Sequence, residues 1–273
     1  MPSGMIAGVA TRAGHGPSAP DPGVVAALRA AGCVFAEAEA ALLEAQARDE
    51  DELASMLAAR TSGLPLAHVL GWAEFCGLRV GVRPGVFVPR RRTELLVAQS
   101  LPLVASGAVV VDLCCGSGAI GLAIAAALPG VELYACDVDP VAVACARENL
   151  VGVGTVFTGS LFAALPPDLP GRVDLVVASA PYVPTDEIAL MPAEARLHEP
   201  TRALDGGADG LDVYRTIAAD VAKWLAPNGH VAVETARDQA SAAAAILSAA
   251  GLKAEVITKG RAAAVLGTAS AGR

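Results

Sequence analysis

The sequence predicts an α/β fold: a doubly wound, mostly parallel sheet that follows a small helical domain and ends in an antiparallel hairpin. From Gly107 onward, short apolar segments alternate with longer alanine-rich ones, as strands and crossover helices do in parallel sheets. Upstream, the segment from Val24 to Arg60 has apolar residues three and four apart, which indicates two or three helices. The last two apolar segments, "LKAEVITKG" and "RAAAVLG", are short and are predicted to form the final hairpin.

Four regions follow from these patterns along the 273 residues. Residues 1–22, rich in Gly, Pro, Ser and Ala, are predicted to be a flexible tail, and residues 23–70 the helical domain. Residues 71–92 contain Gly-Leu and Pro-Gly turns and are predicted to form a linker hairpin. Residues 93–273 form the α/β domain, with strands predicted at "AVVVDLCC", "VELYACDVD", "RVDLVVASAPY" and "HVAVETA". Its helices are predicted at "GSGAIGLAIAAALP", "PVAVACARENLVGVG", "LDVYRTIAADVAKWLAPNG" and "DQASAAAAILSAAG".

Composition excludes several classes of function. A net charge of −8 argues against a long surface for nucleic-acid phosphates. No segment offers the roughly 18 uninterrupted apolar residues of a membrane span, and the N-terminus lacks the basic and apolar regions of a secretory signal. A cytoplasmic protein is therefore expected. The six cysteines form no C-x-x-C pair and no zinc-ligand spacing, which indicates reduced thiols and no metal site.

Three motifs come directly at the ends of predicted strands. They are "DLCCGSG", "DVD" and "SAPY". Ligands of doubly wound sheets bind beyond the carboxyl ends of the strands, so the three motifs are expected to converge on one cleft.

The first motif continues into a glycine loop. Gly116 to Gly121 reads GSGAIG, which matches the G-x-G-x-x-G pattern of loops that bring backbone close to a ligand at a helix N-terminus. Asp137 ends the next strand, where its carboxylate can accept hydrogen bonds from a ribose diol. The loop alone is weak evidence, and a tight turn without any ligand is the alternative.

The nature of the ligand depends on Asp112, four residues before Gly116. A carboxylate there would repel the pyrophosphate of a dinucleotide but suits the cationic methionine portion of S-adenosylmethionine. The sequence therefore favours the methyl donor over a nicotinamide cofactor. A buried Asp112 that only caps the glycine loop is the alternative, and the two roles are compatible.

Together with the linker "GWAEFCGLRVGVRPGVFVPRRRTELLV" and the downstream "HEPTRALDGGADGLDVYR", these motifs resemble the HemK/PrmC-type class I methyltransferases. The resemblance extends from about Val25 to Ala240. It implies a Rossmann-like class I methyltransferase sheet, S-adenosylmethionine as donor, S-adenosylhomocysteine as product, and a helical domain that helps to receive the substrate. In this family the acceptor is a glutamine side-chain amide in the Gly-Gly-Gln loop of a peptide release factor.

The resemblance and the motifs together give a set of expected site residues. Those expected at the donor are Phe87, Arg90, Asp112, Cys114, Gly116, Gly118, Asp137, Val138, Ser160, Leu161 and Ser179. Those expected at the reaction are Ser179, Pro181 and Tyr182. His198 is a candidate base near the acceptor, with anchoring of its loop as the alternative.

The main departure from the family lies at Ser179, where members usually carry the Asn of an Asn-Pro-Pro-Tyr motif. Asparagine offers one acceptor and two donors to a carboxamide, whereas serine offers a single hydroxyl. This difference favours the hypothesis of a small-molecule acceptor such as an indole-type heteroaromatic, methylated at carbon or nitrogen, against Pro181 and Tyr182. Glutamine methylation of release factors is the alternative, and a catalytically silent donor-binding protein is a third.

Overall fold

The structure is a computed structural model that describes residues 19–270. The chain divides into two compact units between Ser62 and Gly63, whereas the sequence analysis ended the helical domain at residue 70. Of the predicted tail, residues 1–18 lie outside the described residues. Pro22, the last residue of that predicted tail, already begins a helix.

The first unit contains three helices, α1 (Pro22–Ala30), α2 (Ala36–Gln46) and α3 (Glu50–Thr61). Asp21 caps α1, because its carboxylate accepts the backbone N–H groups of Gly23 and Val24 and leaves Pro at the first helical position. Between α2 and α3, the Arg60 guanidinium donates to the buried Glu39 carboxylate, with Nε and Oε2 2.6 Å apart. This pair joins the two helices through a charge-assisted hydrogen bond.

The second unit begins with a short helix, α4 (Leu66–Leu70), and an antiparallel hairpin of β1 (Trp72–Phe75) and β2 (Leu78–Gly81). A 3-10 turn over Arg91–Thr93 then leads into α5 (Glu94–Ser100). The remaining elements are β3 (Val109–Leu113), α6 (Ala119–Ala127), β4 (Glu132–Asp137), α7 (Pro140–Asn149), β5 (Gly154–Thr158), β6 (Val173–Ala178), α8 (Ala193–His198), α9 (Asp212–Trp224), β7 (Leu225–Ala236), α10 (Ala240–Ala249), β8 (Lys253–Lys259) and β9 (Ala262–Thr268).

Seven of these strands form one sheet in the order β5-β4-β3-β6-β7-β9-β8. The strands from β5 to β7 are parallel, and β9 runs antiparallel to both β7 and β8. The predicted doubly wound sheet with a C-terminal antiparallel hairpin is confirmed. The chain adds β4 and β5 on one side of β3 and then crosses to add β6 and β7 on the other, so the strand order reverses at β3. Ligands bind at such a reversal in doubly wound sheets.

Two details differ from the prediction. The segment Gly154–Thr158 is an edge strand, although the sequence analysis placed its first residue in the preceding helix and assigned no strand there. Only Val156 of its five residues is buried, so the segment lacks the continuous apolar run that identified the other parallel strands. The strand β7 also begins at Leu225 rather than at His230, and its first part carries a register irregularity against β6.

Register places the strand ends at one level. Leu113 of β3 pairs with Cys136 of β4 and with Ala178 of β6, and Ala178 pairs in turn with Val233 of β7. The next residues along these strands therefore lie in one row, where β3 and β6 end and where Asp137 of β4 and Glu234 of β7 are still paired. Side chains on either side of this row pack into two apolar layers, one under α5, α6 and α7 and the other under α9 and α10.

Within the described residues, the structure contains no helix that is long and apolar enough to cross a membrane. The same residues contain no group of three or more His, Cys, Asp or Glu side chains that could hold a metal ion.

Truncating a central apolar side chain should cost stability. Leu175 is fully buried in β6, whereas Leu197 on α8 is 65% exposed. We expect Leu175→Ala to lower the free energy of unfolding by about 2–5 kcal/mol, because it leaves a cavity between packed layers. The same change at Leu197 should move it by less than about 0.5 kcal/mol. Urea unfolding of both variants measures the difference, and equal effects would contradict the packing described.

Candidate active site

A cavity of about 330 Å³ lies at the carboxyl ends of β3, β4 and β6. Many of the expected site residues line it: Phe87, Arg90, Cys114, Gly116, Asp137, Val138, Ser160, Leu161, Ser179 and Pro181. The three motifs that the sequence analysis expected to converge do so here. The volume is in the range of about 300–1,000 Å³ that holds small ligands and cofactors. We call this space the donor cavity.

The floor of the donor cavity is the glycine loop between β3 and α6. Cys114, Gly116 and Gly118 all have positive φ, at 54°, 55° and 77°, so the chain turns tightly as it leaves β3. Gly116 lies on the cavity wall, and a Cβ there would meet no atom within 4 Å. Gly118, also expected at the donor, is not on that wall. A Cβ on Gly118 would come within 3.0 Å of Leu150, so this glycine permits close packing of the loop on α7.

Asp112 does not contact the donor cavity, in contrast to the role expected for it. Alternating residues of a strand face opposite sides, and Asp112 points with Val110 toward α6. Its carboxylate is fully buried, and Oδ2 accepts the backbone N–H of Gly121 at 2.9 Å, while Oδ1 has no hydrogen-bond partner. Burial raises the pKa of Asp112 to about 7. The structure thus supports the alternative in which Asp112 holds the loop and the first turn of α6.

Asp137 is placed at the cavity by its position at the end of β4. Its Oδ2 accepts the N–H of Gly116 and its Oδ1 accepts the N–H of Asp139, both at 2.9 Å. Burial raises the pKa of this carboxyl, and the backbone hydrogen bonds partly oppose that effect. Each carboxylate oxygen accepts more than one hydrogen bond, so both retain capacity for donors that enter the cavity.

Three thiols lie near this carboxylate, those of Cys114 and Cys115 directly after β3 and that of Cys136 in β4, and all three are unreactive. Burial raises the pKa of Cys114 and Cys115 well above the ordinary thiol range and that of Cys136 to about 12. They therefore shape the cavity and do not act as nucleophiles.

The segment after β6 separates the donor cavity from a second one. Ser179 and Pro181 face the donor cavity, whereas Tyr182, Val183 and Pro184 line a broader space of about 860 Å³. Tyr182 is thus not on the donor side of the segment, although the sequence analysis grouped it with Ser179 and Pro181. The other lining residues of this second space, which we call the acceptor groove, are Arg92, Glu187, Leu190, Met191, Thr235, Ala236, Arg237, Asp238, Gly260 and Arg261.

The loop before α9 supports this segment from behind. A Cβ on Gly210 would lie 2.2 Å from the carbonyl oxygen of Tyr182, and one on Gly206 would lie 2.7 Å from that of Pro181. Only glycine permits such approaches. The buried Tyr214 hydroxyl lies within hydrogen-bond distance of the carbonyl oxygens of Ala180 and Glu234. The Asp205–Gly210 turn therefore holds the backbone of the segment in place.

A buried carboxylate that the sequence analysis did not identify lies beside the same segment. Glu234 follows Val233 in β7 and is 2% exposed. Its Oε2 accepts from the hydroxyls of Thr93 at 2.6 Å and Ser179 at 2.8 Å. Its Oε1 accepts from Tyr182 and from the Arg92 guanidinium, each at 3.3 Å. A lone acidic residue in the apolar strand "HVAVETA" was the signal that could have identified it.

The linker segment is attached to the cavity by Glu199 and not by His198. The fully buried Glu199 carboxylate accepts the N–H of Val88 at 3.1 Å and pairs with the Arg90 guanidinium, which lies 4.7 Å from the centre of the Phe87 ring. Burial raises the pKa of Glu199, and Arg90 opposes this. His198 lines neither the donor cavity nor the acceptor groove. The residue that anchors this loop is thus Glu199, next to His198.

Comparison with known proteins gives a consistent result. The family "Methyltransferase small domain" matches residues 77–209. A release factor glutamine methyltransferase of Geobacter sulfurreducens is 39% identical over 74% of this chain and 72% of its own. Another, from Mycolicibacterium smegmatis, is 43% identical over 66% of this chain and 64% of its own.

Solved structures share the fold at low identity. A methyltransferase from Pyrococcus furiosus superposes with a TM-score of 0.54 at 15% identity, over 71% of this chain and 90% of that one. A ribosomal protein L11 methylase from Lactobacillus delbrueckii subsp. bulgaricus gives 0.51 at 16% identity, over 70% and 85%.

The sheet order, the cavity at the strand ends and the matching family define an S-adenosylmethionine-dependent methyltransferase of class I. Within that class, the chain belongs to the HemK/PrmC-type family. The hypothesis of an indole-type small-molecule acceptor is wrong, because the relatives at 39–43% identity are release factor glutamine methyltransferases. That hypothesis gave one side chain, Ser179, more weight than the similarity of the whole chain.

The pKa of Asp112 predicts how stability varies with pH. Because its pKa of about 7 in the folded state exceeds the ordinary 3.8, the folded state holds an extra proton between these values. The contribution of this protonated carboxyl to the free energy of unfolding is lost as the pH rises through about 7. Asp112→Asn removes this loss while its side-chain oxygen can still accept from Gly121. We expect the unfolding temperature of the variant, relative to the unmodified chain, to rise from about pH 5 to pH 8.

Thermal unfolding at several pH values measures this difference. Asp186→Asn is the matched control, because Asp186 is exposed. A difference between the Asp112 variant and the unmodified chain that stays constant with pH would contradict the burial argument.

Proposed function

We propose that this chain transfers a methyl group from S-adenosylmethionine to the side-chain amide nitrogen of a glutamine in a peptide release factor. The observation on which this depends is the arrangement of two cavities on opposite sides of one segment, Ser179 to Pro184. The donor cavity has a volume of about 330 Å³, and the acceptor groove, at about 860 Å³, has more than twice the room and carries exposed charged and apolar side chains. The names of the relatives supply the acceptor class.

The residues of the donor cavity suit S-adenosylmethionine. Asp137 has carboxylate oxygens with capacity for a ribose diol, and Gly116 lets backbone approach the ligand. Ser160 and Leu161 form the wall beyond β5, where the adenine is expected. Phe87 and Arg90, held by Glu199, with Cys114 and Val138, complete the set assigned to the donor. The walls are otherwise mostly apolar, which excludes water from the methyl group.

The chemistry needs positioning more than acid or base catalysis. When bound, S-adenosylmethionine supplies an electrophilic methyl: the amide nitrogen forms the new N–C bond, the C–S bond breaks with its electron pair left on sulfur as S-adenosylhomocysteine, and the nitrogen loses its proton to water. An amide nitrogen is a weak nucleophile, so the chain must hold it in line with that methyl. Ser179 and Pro181 form the wall on the donor side, and Tyr182 the wall on the acceptor side.

The acceptor groove fits a loop of mixed polarity. Arg92, Arg237 and Arg261 place positive charge around it, and Glu187 and Asp238 add negative charge. Leu190, beside them, is 83% exposed and offers an apolar contact to a bound chain. A groove with charges of both signs and an exposed leucine provides several distinct contacts for a folded protein loop.

Direct assay of the acceptor tests the proposal. The purified chain is incubated with S-adenosylmethionine and a release factor that has an intact Gly-Gly-Gln loop, and mass spectrometry locates the added methyl. We expect methylation at the loop glutamine. A release factor with Gln→Ala in that loop is the matched control and should remain unmodified. A chain that binds the donor and leaves the intact loop unmodified would show that the acceptor is different.

The role of Asp137 gives a second, independent prediction. Asp137→Ala should weaken S-adenosylmethionine binding by roughly tenfold to hundredfold, because it removes charged hydrogen-bond acceptors from the cavity and frees the loop N–H of Gly116. Isothermal titration calorimetry measures the affinity. Asp168→Ala is the control, since the side chain of Asp168 is 73% exposed and contacts Arg172 instead. Unchanged affinity in the Asp137 variant would remove this residue from the donor site.

A further inference from the structure

The buried Glu234 carboxylate accepts four side-chain hydrogen bonds. Its side chain is 3% exposed, and its four donors come from two regions of the chain, Arg92 and Thr93 before α5, and Ser179 and Tyr182 after β6. Thr93, Ser179 and Pro181 line the donor cavity, whereas Arg92 and Tyr182 line the acceptor groove. The Glu234 carboxylate therefore contacts residues of both the donor cavity and the acceptor groove.

The direction of these hydrogen bonds determines what Ser179 can offer a substrate. A hydroxyl has one hydrogen to donate and two lone pairs that accept. At 2.8 Å, the hydrogen of Ser179 is engaged by Oε2 of Glu234, because a carboxylate can only accept. The hydrogen of Thr93 is engaged by the same oxygen. What remains of Ser179 for the cavity is therefore its lone pairs, which accept an N–H and repel a carbonyl oxygen.

This restriction bears on a specific chemical problem. The oxygen and the nitrogen of a carboxamide have nearly the same size, and the oxygen holds the more available electron pair. An enzyme that methylates the nitrogen must therefore present the NH₂ end to the methyl and turn the oxygen away. A hydroxyl free to rotate would accept from the NH₂ or donate to the carbonyl, and would not distinguish the two orientations.

We infer that Glu234 is a positioning residue that fixes Ser179 as a hydrogen-bond acceptor, so that Ser179 receives an N–H of the glutamine carboxamide and orients its nitrogen toward the methyl donor. This inference rests on the proposed function. An asparagine at this position would carry its own carbonyl acceptor, whereas a serine acquires the same polarity only from a partner that engages its hydrogen. Glu234 is that partner.

The neighbours of Glu234 maintain this arrangement. Arg92 lies beside Oε1 and also above the Tyr182 ring, with 5.7 Å between the guanidinium carbon and the ring centre, so the buried carboxylate is partly compensated. Burial and the charge of Glu234 raise the pKa of Tyr182 to about 12, which keeps its hydroxyl protonated as a donor. The hydroxyls of Thr93, Ser179 and Tyr182 thus direct their hydrogens at the carboxylate.

Steady-state kinetics with the intact chain and a release factor tests the inference. Glu234→Gln keeps the shape of the side chain but replaces one carboxylate oxygen by an NH₂ group. That group donates a hydrogen bond and does not accept the hydrogen of Ser179. We expect kcat to fall roughly tenfold to hundredfold, the usual effect of losing one hydrogen bond to a charged group, while the donor Kd and the release-factor KM change by less than about threefold. Glu255→Gln, on the exposed face of β8, is the matched control and should behave as the unmodified chain does.

Combination with Ser179 separates positioning from structural support. If Glu234 acts through Ser179, the double variant Ser179→Ala with Glu234→Gln is no slower than Ser179→Ala alone. Ser179→Asn in the Glu234→Gln background should recover most of the lost kcat, because asparagine supplies its own acceptor. Losses that multiply in the double variant, or an unchanged kcat in Glu234→Gln, would overturn the inference.

The remaining outcomes are also decisive. Should Glu234→Gln fail to bind the donor or to fold, Glu234→Asp keeps the charge and shortens the side chain, and the same comparison with Ser179→Ala applies. If the unmodified chain does not methylate the release factor, the proposed function fails and the role of Glu234 fails with it. If the unmodified chain is active and Glu234→Gln equals it, only the role of Glu234 is overturned.

Discussion

The register between β4, β3, β6 and β7 is the constraint on which the site depends. Cys136, Leu113, Ala178 and Val233 stand side by side in the sheet. One residue further along the four strands are Asp137, Cys114, Ser179 and Glu234, which supply a ribose-binding candidate, the start of the glycine loop, a hydroxyl on the wall of the donor cavity and the buried carboxylate. A shift of one residue in any pairing would turn the corresponding side chain to the opposite face. Hydrogen bonds between backbones thus set the geometry of the chemistry.

Much of this arrangement could be predicted because it follows from periodicity. Alternation of strands and helices gave the order of elements, and the rule that ligands bind at the carboxyl ends brought the three motifs together. The expected contact of Asp112 with the donor does not follow from the motif alone, because residues of one strand alternate between its two faces. Asp112 faces α6, where its carboxylate accepts the backbone N–H of Gly121.

Other parts of the site could not be inferred from local pattern. Glu234 is 55 residues from Ser179 in sequence, and only the fold brings the two side chains within hydrogen-bond distance. The strand β5 escaped detection since a half-exposed edge strand has no continuous apolar run. The acceptor was misjudged for a related physical reason. A hydroxyl has no fixed polarity of its own, and whether serine can replace an amide acceptor depends on which group engages its hydrogen.

The segment from Ser179 to Pro184 separates the two cavities by the thickness of a single stretch of backbone, which glycines 206 and 210 support from behind. Changes in this shared wall would alter both the donor and the acceptor at once. Divergence toward new acceptors within this architecture is therefore expected at the outer rim of the groove, around Leu190 and Arg261, where side chains can vary without disturbing the donor. Related enzymes with different acceptors would then differ mainly at the rim and share the residues of the wall.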